Sequence, residues 1–255
     1  MVNLVTLDSR AHGNLRVLRH TSPQVAQVDA VSVVPREFQR LVAHYPIFFT
    51  KSAESGRFEP TVLLGFQKKE NLFFVEGRWD VIYVPLQMQR QPFSLLPRRS
   101  EAPAGGQAAA DIAIDMSSPQ VQTGEGERLF DDGQPSRFLQ SITSILSALV
   151  NGSTEARAFT ARLAELNLLE PVAINIEFVD HSEARLQGLY WIAAAALKAL
   201  PAAQLAELRD REFLEWMYFQ MASVAHMSSL VARKNGLLSG VTPPRHPKAP
   251  DVGPR

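Results

Sequence analysis

The apolar positions change period along the chain, and those changes predict the order of elements. Pro35 suits the first turn of a helix, and Phe38, Leu41 and Val42 follow at helical spacing until Tyr45-Pro46 ends the run. β-branched and aromatic residues then come in short stretches at 47–50, 61–66, 72–76 and 81–84, separated by Gly56, Lys69-Glu70-Asn71 and Gly77. Linkers this short permit hairpins but leave no room for crossover helices, so the segment predicts antiparallel strands. Another alternating strand is expected at 111–116, and Phe130-Asp131-Asp132-Gly133 reads as a turn.

The period then moves to three and four. Phe138, Leu139, Ile142, Ile145, Leu146 and Leu149 predict a helix closed by Gly152. Phe159, Leu163 and Leu166 predict a second one, capped by Ser153 or Thr154, and the two would form a helical hairpin. Stretches 172–179 and 185–192 read as paired strands about the turn Asp180-His181-Ser182-Glu183, and Pro201 opens a further short helix. A final amphipathic helix over 210–234 carries Phe213, Met217, Met221, Val224, Met227 and Val231 and stops before Asn235-Gly236. The fold class that follows is α+β, a mainly antiparallel sheet covered by a helical hairpin and a C-terminal amphipathic helix. One domain over 1–238 is expected, because strands flank both sides of a loop near 98–110 that has no periodic apolar face. Residues 239–255, polar and proline-rich, are expected to be a disordered tail.

Composition narrows the function classes. Lys plus Arg number 26 and Asp plus Glu 26, so the chain lacks the basic footprint of a nucleic-acid binder. Zero cysteines remove disulfides, thiolate-bound zinc, iron–sulfur clusters and thiol nucleophiles. Residues 1–19 hold no apolar run of the signal-peptide kind, and the longest apolar stretch, 188–197, is far shorter than the roughly 20 residues of a membrane span. A cytoplasmic location follows as the expectation, with the cell surface, reached without a cleavable signal, as the alternative. No cofactor is implied: phosphate-binding glycine loops, dinucleotide fingerprints and nucleophile elbows are all missing.

Several phrases are more particular than secondary structure demands. They are His44-Tyr45-Pro46-Ile47-Phe48-Phe49, Leu63-Leu64-Gly65, Glu70-Asn71-Leu72-Phe73, and Gly77-Arg78-Trp79-Asp80 running into Tyr83-Val84-Pro85. Arg90-Gln91-Pro92-Phe93, Phe130-Asp131-Asp132-Gly133 and Gly188-Leu189-Tyr190 continue the series. In this order and spacing they resemble the bacterial SapC family over almost the whole chain. The resemblance departs at 193–196, where four alanines replace an acidic stretch usual in that family. It implies a non-enzymatic binding or assembly role associated with a bacterial surface layer, with another protein, or a second copy of the chain, as partner. The alternative is an accessory enzyme or peptide- or protein-modifying factor with an unrecognised pocket, metal-dependent in one version.

The candidate binding residues are His44, Tyr45, Arg78, Trp79, Asp80 and Arg90, which stand at helix exits, strand entrances and turns where polar groups reach pockets. Their structural alternative is a tight helix exit at Tyr45-Pro46, a core tryptophan and a turn aspartate. Arg78 and Arg90 with Arg98 and Arg99 would suit an anion, since guanidinium forks match carboxylates and phosphates. A metal alternative joins His181 and Glu183, two apart and so on one side of a strand, with His226. Met217, Met221 and Met227 offer either an adaptable partner groove or ordinary core packing.

Overall fold

The computed structural model describes residues 2–19, 23–97 and 110–240. The proposed loop from 98 to 109 and the tail from 241 onward, with Arg98 and Arg99, therefore lie outside the described residues. The chain divides into two compact units, Met1–Val25 with Leu86–Val150, and Ala26–Pro85 with Asn151–Arg255.

The second unit is built on a five-stranded sheet. Its strands are β1 (Ala30–Ser32), β2 (Ile47–Lys51), β3 (Phe58–Leu63), β4 (Leu169–Glu177) and β5 (Glu183–Ile192), in the order β4-β5-β2-β3-β1 with every ladder antiparallel. The central strand explains its own sequence. Ile47, Phe48 and Phe49 are consecutive and all fully buried, so β2 is covered on both faces and needs an unbroken apolar run. The helices of this unit include α2 (Ala202–Asp210), α3 (Phe213–Ser223) and α4 (His226–Leu238), together with the C-terminal part of α1 (Arg137–Glu165). Phe159 of α1 lies at the centre of the core, its ring 6.4 Å from that of Phe38, 6.0 Å from Phe49, 5.2 Å from Phe213 and 5.3 Å from Trp216. Such tilted and edge-on aromatic pairs add to the stabilisation that burial alone gives.

The first unit has its own core of Val17, Phe93, Ile114, Leu129, Phe138, Leu139, Ile142 and Leu146. Ala110–Asp115 lies between Leu4–Thr6 and Phe93–Pro97 in one antiparallel ladder, and Arg16–Val17 lies between Val121–Gln122 and Glu127–Arg128 in another. The strands on either side of 98–109 thus pair with each other. Helix α1 begins in this unit, where the hydroxyl of Ser136 accepts the Leu139 N–H at 3.2 Å and donates to the Arg128 carbonyl at 2.6 Å.

The α+β class and the antiparallel pairing stand. Four elements differ from expectation. The helical hairpin is a single 29-residue helix: Gly152 does not stop it but lies against Val34, where a Cβ would come within 2.6 Å of the valine Cβ. The helix over 210–234 is two helices broken at Val224–Ala225, so the methionines do not form one stripe. Met217 is fully buried, and Met221 and Met227 pack partly buried on the same core. Residues 81–84 form no strand; Val81 and Tyr83 pack on the core, and Tyr83 is held by side-chain hydrogen bonds instead of a ladder. Residues 72–76 shrink to a hairpin of Phe74–Val75 with Arg78–Trp79, turned through Glu76 and Gly77, both at positive φ.

Candidate functional site

The phrases at 44–49, 63–65, 70–73, 77–85 and 188–190 lie in the second unit, the first of them at the exit from the Phe38–Leu41 helix, and those at 90–93 and 130–133 lie in the first unit. Glu37 sits in the turn that precedes this helix and is 2% exposed. Its carboxylate accepts the Val34 N–H at 3.1 Å through one oxygen and the Tyr83 hydroxyl at 2.9 Å through the other. After the helix, the backbone of His44 and Tyr45 bonds back to Leu41 and the chain enters β2. The Tyr45 ring is fully buried on Phe73, with centroids 4.6 Å apart, and its hydroxyl donates to the Tyr83 carbonyl at 2.8 Å. Burial pushes both phenols above their ordinary value, and for Tyr83 the negative charge of Glu37 adds to the shift.

The excursion from 64 to 80 is fastened to α4 by two adjacent cations. Gly65 lies directly beneath the Glu70 carbonyl, where a Cβ would come within 2.3 Å of the oxygen, so no larger residue fits. The Glu70 carboxylate accepts the Phe66 N–H at 2.8 Å and pairs with Lys234 at 2.5 Å. Asn71, itself buried, turns the chain by accepting the Phe73 N–H at 3.0 Å. Arg233 pairs with Asp80 at 2.9 Å, donates to the Asp80 carbonyl at 3.1 Å and to the Leu72 carbonyl at 3.4 Å, and lies 4.7 Å over the Phe73 ring. Side-chain exposure of 11% for Arg233 and 13% for Asp80 puts this pair in the regime where losing one partner strands a buried charge.

α3 docks on the sheet by a further pair of buried polar groups. Gln220 accepts the Ile192 N–H at 3.1 Å and donates to the Ile47 carbonyl at 2.9 Å, while the Ser223 hydroxyl accepts the Ile47 N–H at 2.9 Å. Both side chains are fully buried. They serve backbone at the start of β2 and the end of β5, groups that no neighbouring strand pairs there. The sequence carried one signal for them: Gln220 and Ser223 recur at helical spacing from Phe213 and Met217 on the apolar side of the helix.

Of the sequence candidates, Tyr45 and Asp80 are brought together, joined through Phe73 and Arg233. His44 is half-buried with its ring edge-on to Tyr45. Trp79 packs its ring 6.0 Å from Phe74, and its Nε1 is buried without a hydrogen-bond partner among the described residues. Arg78 points to solvent, 3.9 Å from Glu76. Arg90 belongs to the first unit, where it donates to Gln87, to Ser94 and to the Phe93 carbonyl, and burial pulls its guanidinium below the usual value. Arg78 and Arg90 thus belong to different units.

The three residues of the metal alternative are not gathered into one group. His181 stands in the turn at φ 62°, not on a strand, and its Nδ1 lies 3.0 Å from Glu177 Oε1 at the exposed tip. Glu183 is exposed at the start of β5. His226 Nε2 lies 2.7 Å from the Val42 carbonyl, which can only accept, so that nitrogen carries the proton and the ring's lone pair is on Nδ1. Among the described residues no group of three His, Asp or Glu side chains converges as a metal site would require.

No helix among the described residues is long and apolar enough to cross a membrane. No curated protein and no solved structure matches the chain. The sequence model of the SapC family matches residues 7–230, the span that contains the phrases gathered here, and the chain belongs to the SapC family.

Proposed function

We propose that this chain is a non-enzymatic binding protein that takes part in assembly by holding an extended segment of another protein. The observation that carries this reading is the fate of the landmark residues. Tyr45, Glu70, Asp80 and Tyr83, with the buried Glu37 that Tyr83 bonds, each hold a partner within the chain, so these polar groups are spent on fastening the fold. General acid–base or nucleophilic work needs a group within hydrogen-bond reach of a substrate.

The surface best suited to such a partner is the outer edge of β4. It is the end strand of the sheet, nine residues long, with Glu170, Ala173, Asn175 and Glu177 exposed and no strand beyond it among the described residues. An open edge offers a row of backbone donors and acceptors, the means by which an added strand binds. Glu170 and Glu177 bracket the strand, which favours a partner with basic side chains at its ends. In antiparallel self-pairing over the full strand Glu170 faces Ile176 and Glu177 faces Leu169, so the acids of one copy would meet no basic group on the other. The association of this family with a bacterial surface layer fits a role in assembly, and it makes the partner a protein exported or displayed there.

A photo-reactive residue at Asn175, introduced into the chain in its native cell, tests this. One discrete adduct with a different protein is expected, retained by Arg78→Ala and lost with Glu177→Lys. Absence of an adduct, an adduct between two copies of the chain, or one that survives the charge reversal would overturn the reading.

A further inference from the structure

We infer that the first unit carries a binding site for a small molecule bearing a carboxylate or phosphate group, independent of the β4 edge. The site is a cleft of about 550 Å³ lined in part by Leu15, Arg16, Thr123, Arg128, Phe130 and Asp132. That volume falls within the usual range for small-ligand pockets.

The argument starts from register. Arg16 lies directly opposite Arg128 on one side and Gln122 on the other, while the next residue, Val17, lies opposite Val121 and Glu127. Residues opposite one another share a face of the sheet, and successive residues alternate between faces. Val17 is 1% exposed and belongs to the core, so the Gln122–Arg16–Arg128 row faces outward, and both arginines line the cleft. Two like charges directly opposite across a ladder destabilise the pairing, and Asp132 is the carboxylate that shares the cleft with them. Arg16 donates to the Gly126 carbonyl at 3.1 Å, which steadies its guanidinium, but among the described residues no ion pair joins Arg16 or Arg128 to a carboxylate. Glu127, on the opposite face, pairs with Arg19 at 3.3 Å.

Gly126 holds this arrangement together. At φ 102° a Cβ there would come within 2.6 Å of the Val17 carbonyl, so only glycine lets the loop approach and present its carbonyl to Arg16. The outcome is a pair of cationic forks side by side at the mouth of a cleft with an apolar wall of Leu15 and half-buried Phe130. That suits a bidentate acid group on a molecule with an apolar or ring-shaped body. Asp132, in the same cleft, would repel a second acid group there and would accept a hydrogen bond from a hydroxyl or ammonium. The ligand is therefore a small mono-acid with a polar donor at its far end.

Titration of the whole protein with inorganic phosphate, and separately with acetate and glycolate, at ionic strength held constant with chloride, tests the site by calorimetry and by amide shifts. Saturable one-to-one binding is expected for at least one probe, with shifts centred on residues 13–16 and 123–133. A phosphate response and a carboxylate response distinguish the two acid chemistries. Arg16→Gln and Arg128→Gln should each weaken binding by about tenfold or more, the loss expected for a charge-assisted hydrogen bond. Without ligand, Arg128→Gln should melt no lower than the parent, since it relieves the Arg16–Arg128 opposition. Binding that chloride reproduces, affinity unchanged in both variants, no saturation with any probe, or a ligand-free Arg128→Gln protein that melts lower would each overturn the site.

Discussion

Tyr83 is held between an apolar core and a carboxylate, and the consequence for stability has a definite sign. Its hydroxyl donates to Glu37 and its backbone carbonyl accepts from Tyr45, so ionising the phenol would put a negative charge beside Glu37 in a buried place. Burial first, and the Glu37 charge second, raise the phenol above its usual value. In the unfolded chain a tyrosine ionises near pH 10. From about pH 10 upward the folded state therefore binds more protons than the unfolded state, and unfolding becomes easier as pH rises. Below that value the contribution is fully present. Tyr45, raised by burial, acts in the same direction. The expected outcome is a urea midpoint indifferent to these two groups through neutral pH that falls from about pH 10, with a shallower fall in Tyr83→Phe. In an absorbance titration of phenolate, two of the four tyrosines should ionise only as the protein unfolds. Reversible ionisation of all four in folded protein would contradict the buried arrangement.

Helix α1 shows what periodicity can and cannot reveal about an element. The apolar spacing from Phe138 to Leu149 and again from Phe159 to Leu166 is real, and its residues fill the cores as that spacing requires. Local signals alone place a break at Gly152, because glycine followed by serine and threonine is the usual stop and restart. The fact that decides otherwise is Val34, 118 positions away in sequence, whose side chain occupies the space a Cβ would need. The same distance in sequence hid the partners of the candidate site. Tyr45 and Asp80 were visible in the SapC-like phrases, but Asp80 is matched by Arg233, 153 residues later, and Glu37 by Tyr83, 46 residues later. Strands were easier to read, since β2 and β3 are neighbours joined by a short turn, and β4 and β5 likewise. Gly152→Ala separates the two claims on that position. Alanine gains up to about 1 kcal/mol of helix propensity, but the overlap with Val34 costs about 1–3 kcal/mol as overpacking. The single variant should melt lower than the parent, and Val34→Ala combined with it should recover part of the loss. If Gly152→Ala alone stabilised the protein, the close contact would not be what selects glycine.

At the scale of the whole molecule, the two units are interleaved in sequence, and each contains residues from before position 98 and from after position 109. In the first unit, Phe93–Pro97 pairs with Ala110–Asp115, and Leu4–Thr6 pairs with the other edge of that strand. In the second, β2 of the N-terminal half pairs with β5 of the C-terminal half through Phe49–Tyr190 and Thr50–Leu189, and Phe38, Tyr45 and Phe73 share a core with Phe159, Phe213 and Trp216. Cutting the chain between these segments leaves every ladder intact and divides both cores between the two fragments. A protease site placed after Ala104 and cleaved to completion should yield two fragments that elute together at the mass of the parent and separate only in denaturant. The buried apolar side chains on each fragment make separation costly, at about 25 cal/mol for each Å² exposed. Either fragment alone would expose Phe48, Phe49 and Phe93, or Phe159, Phe213 and Trp216, and would aggregate. Fragments that parted in buffer and stayed soluble would mean that these ladders and cores do not hold the halves together.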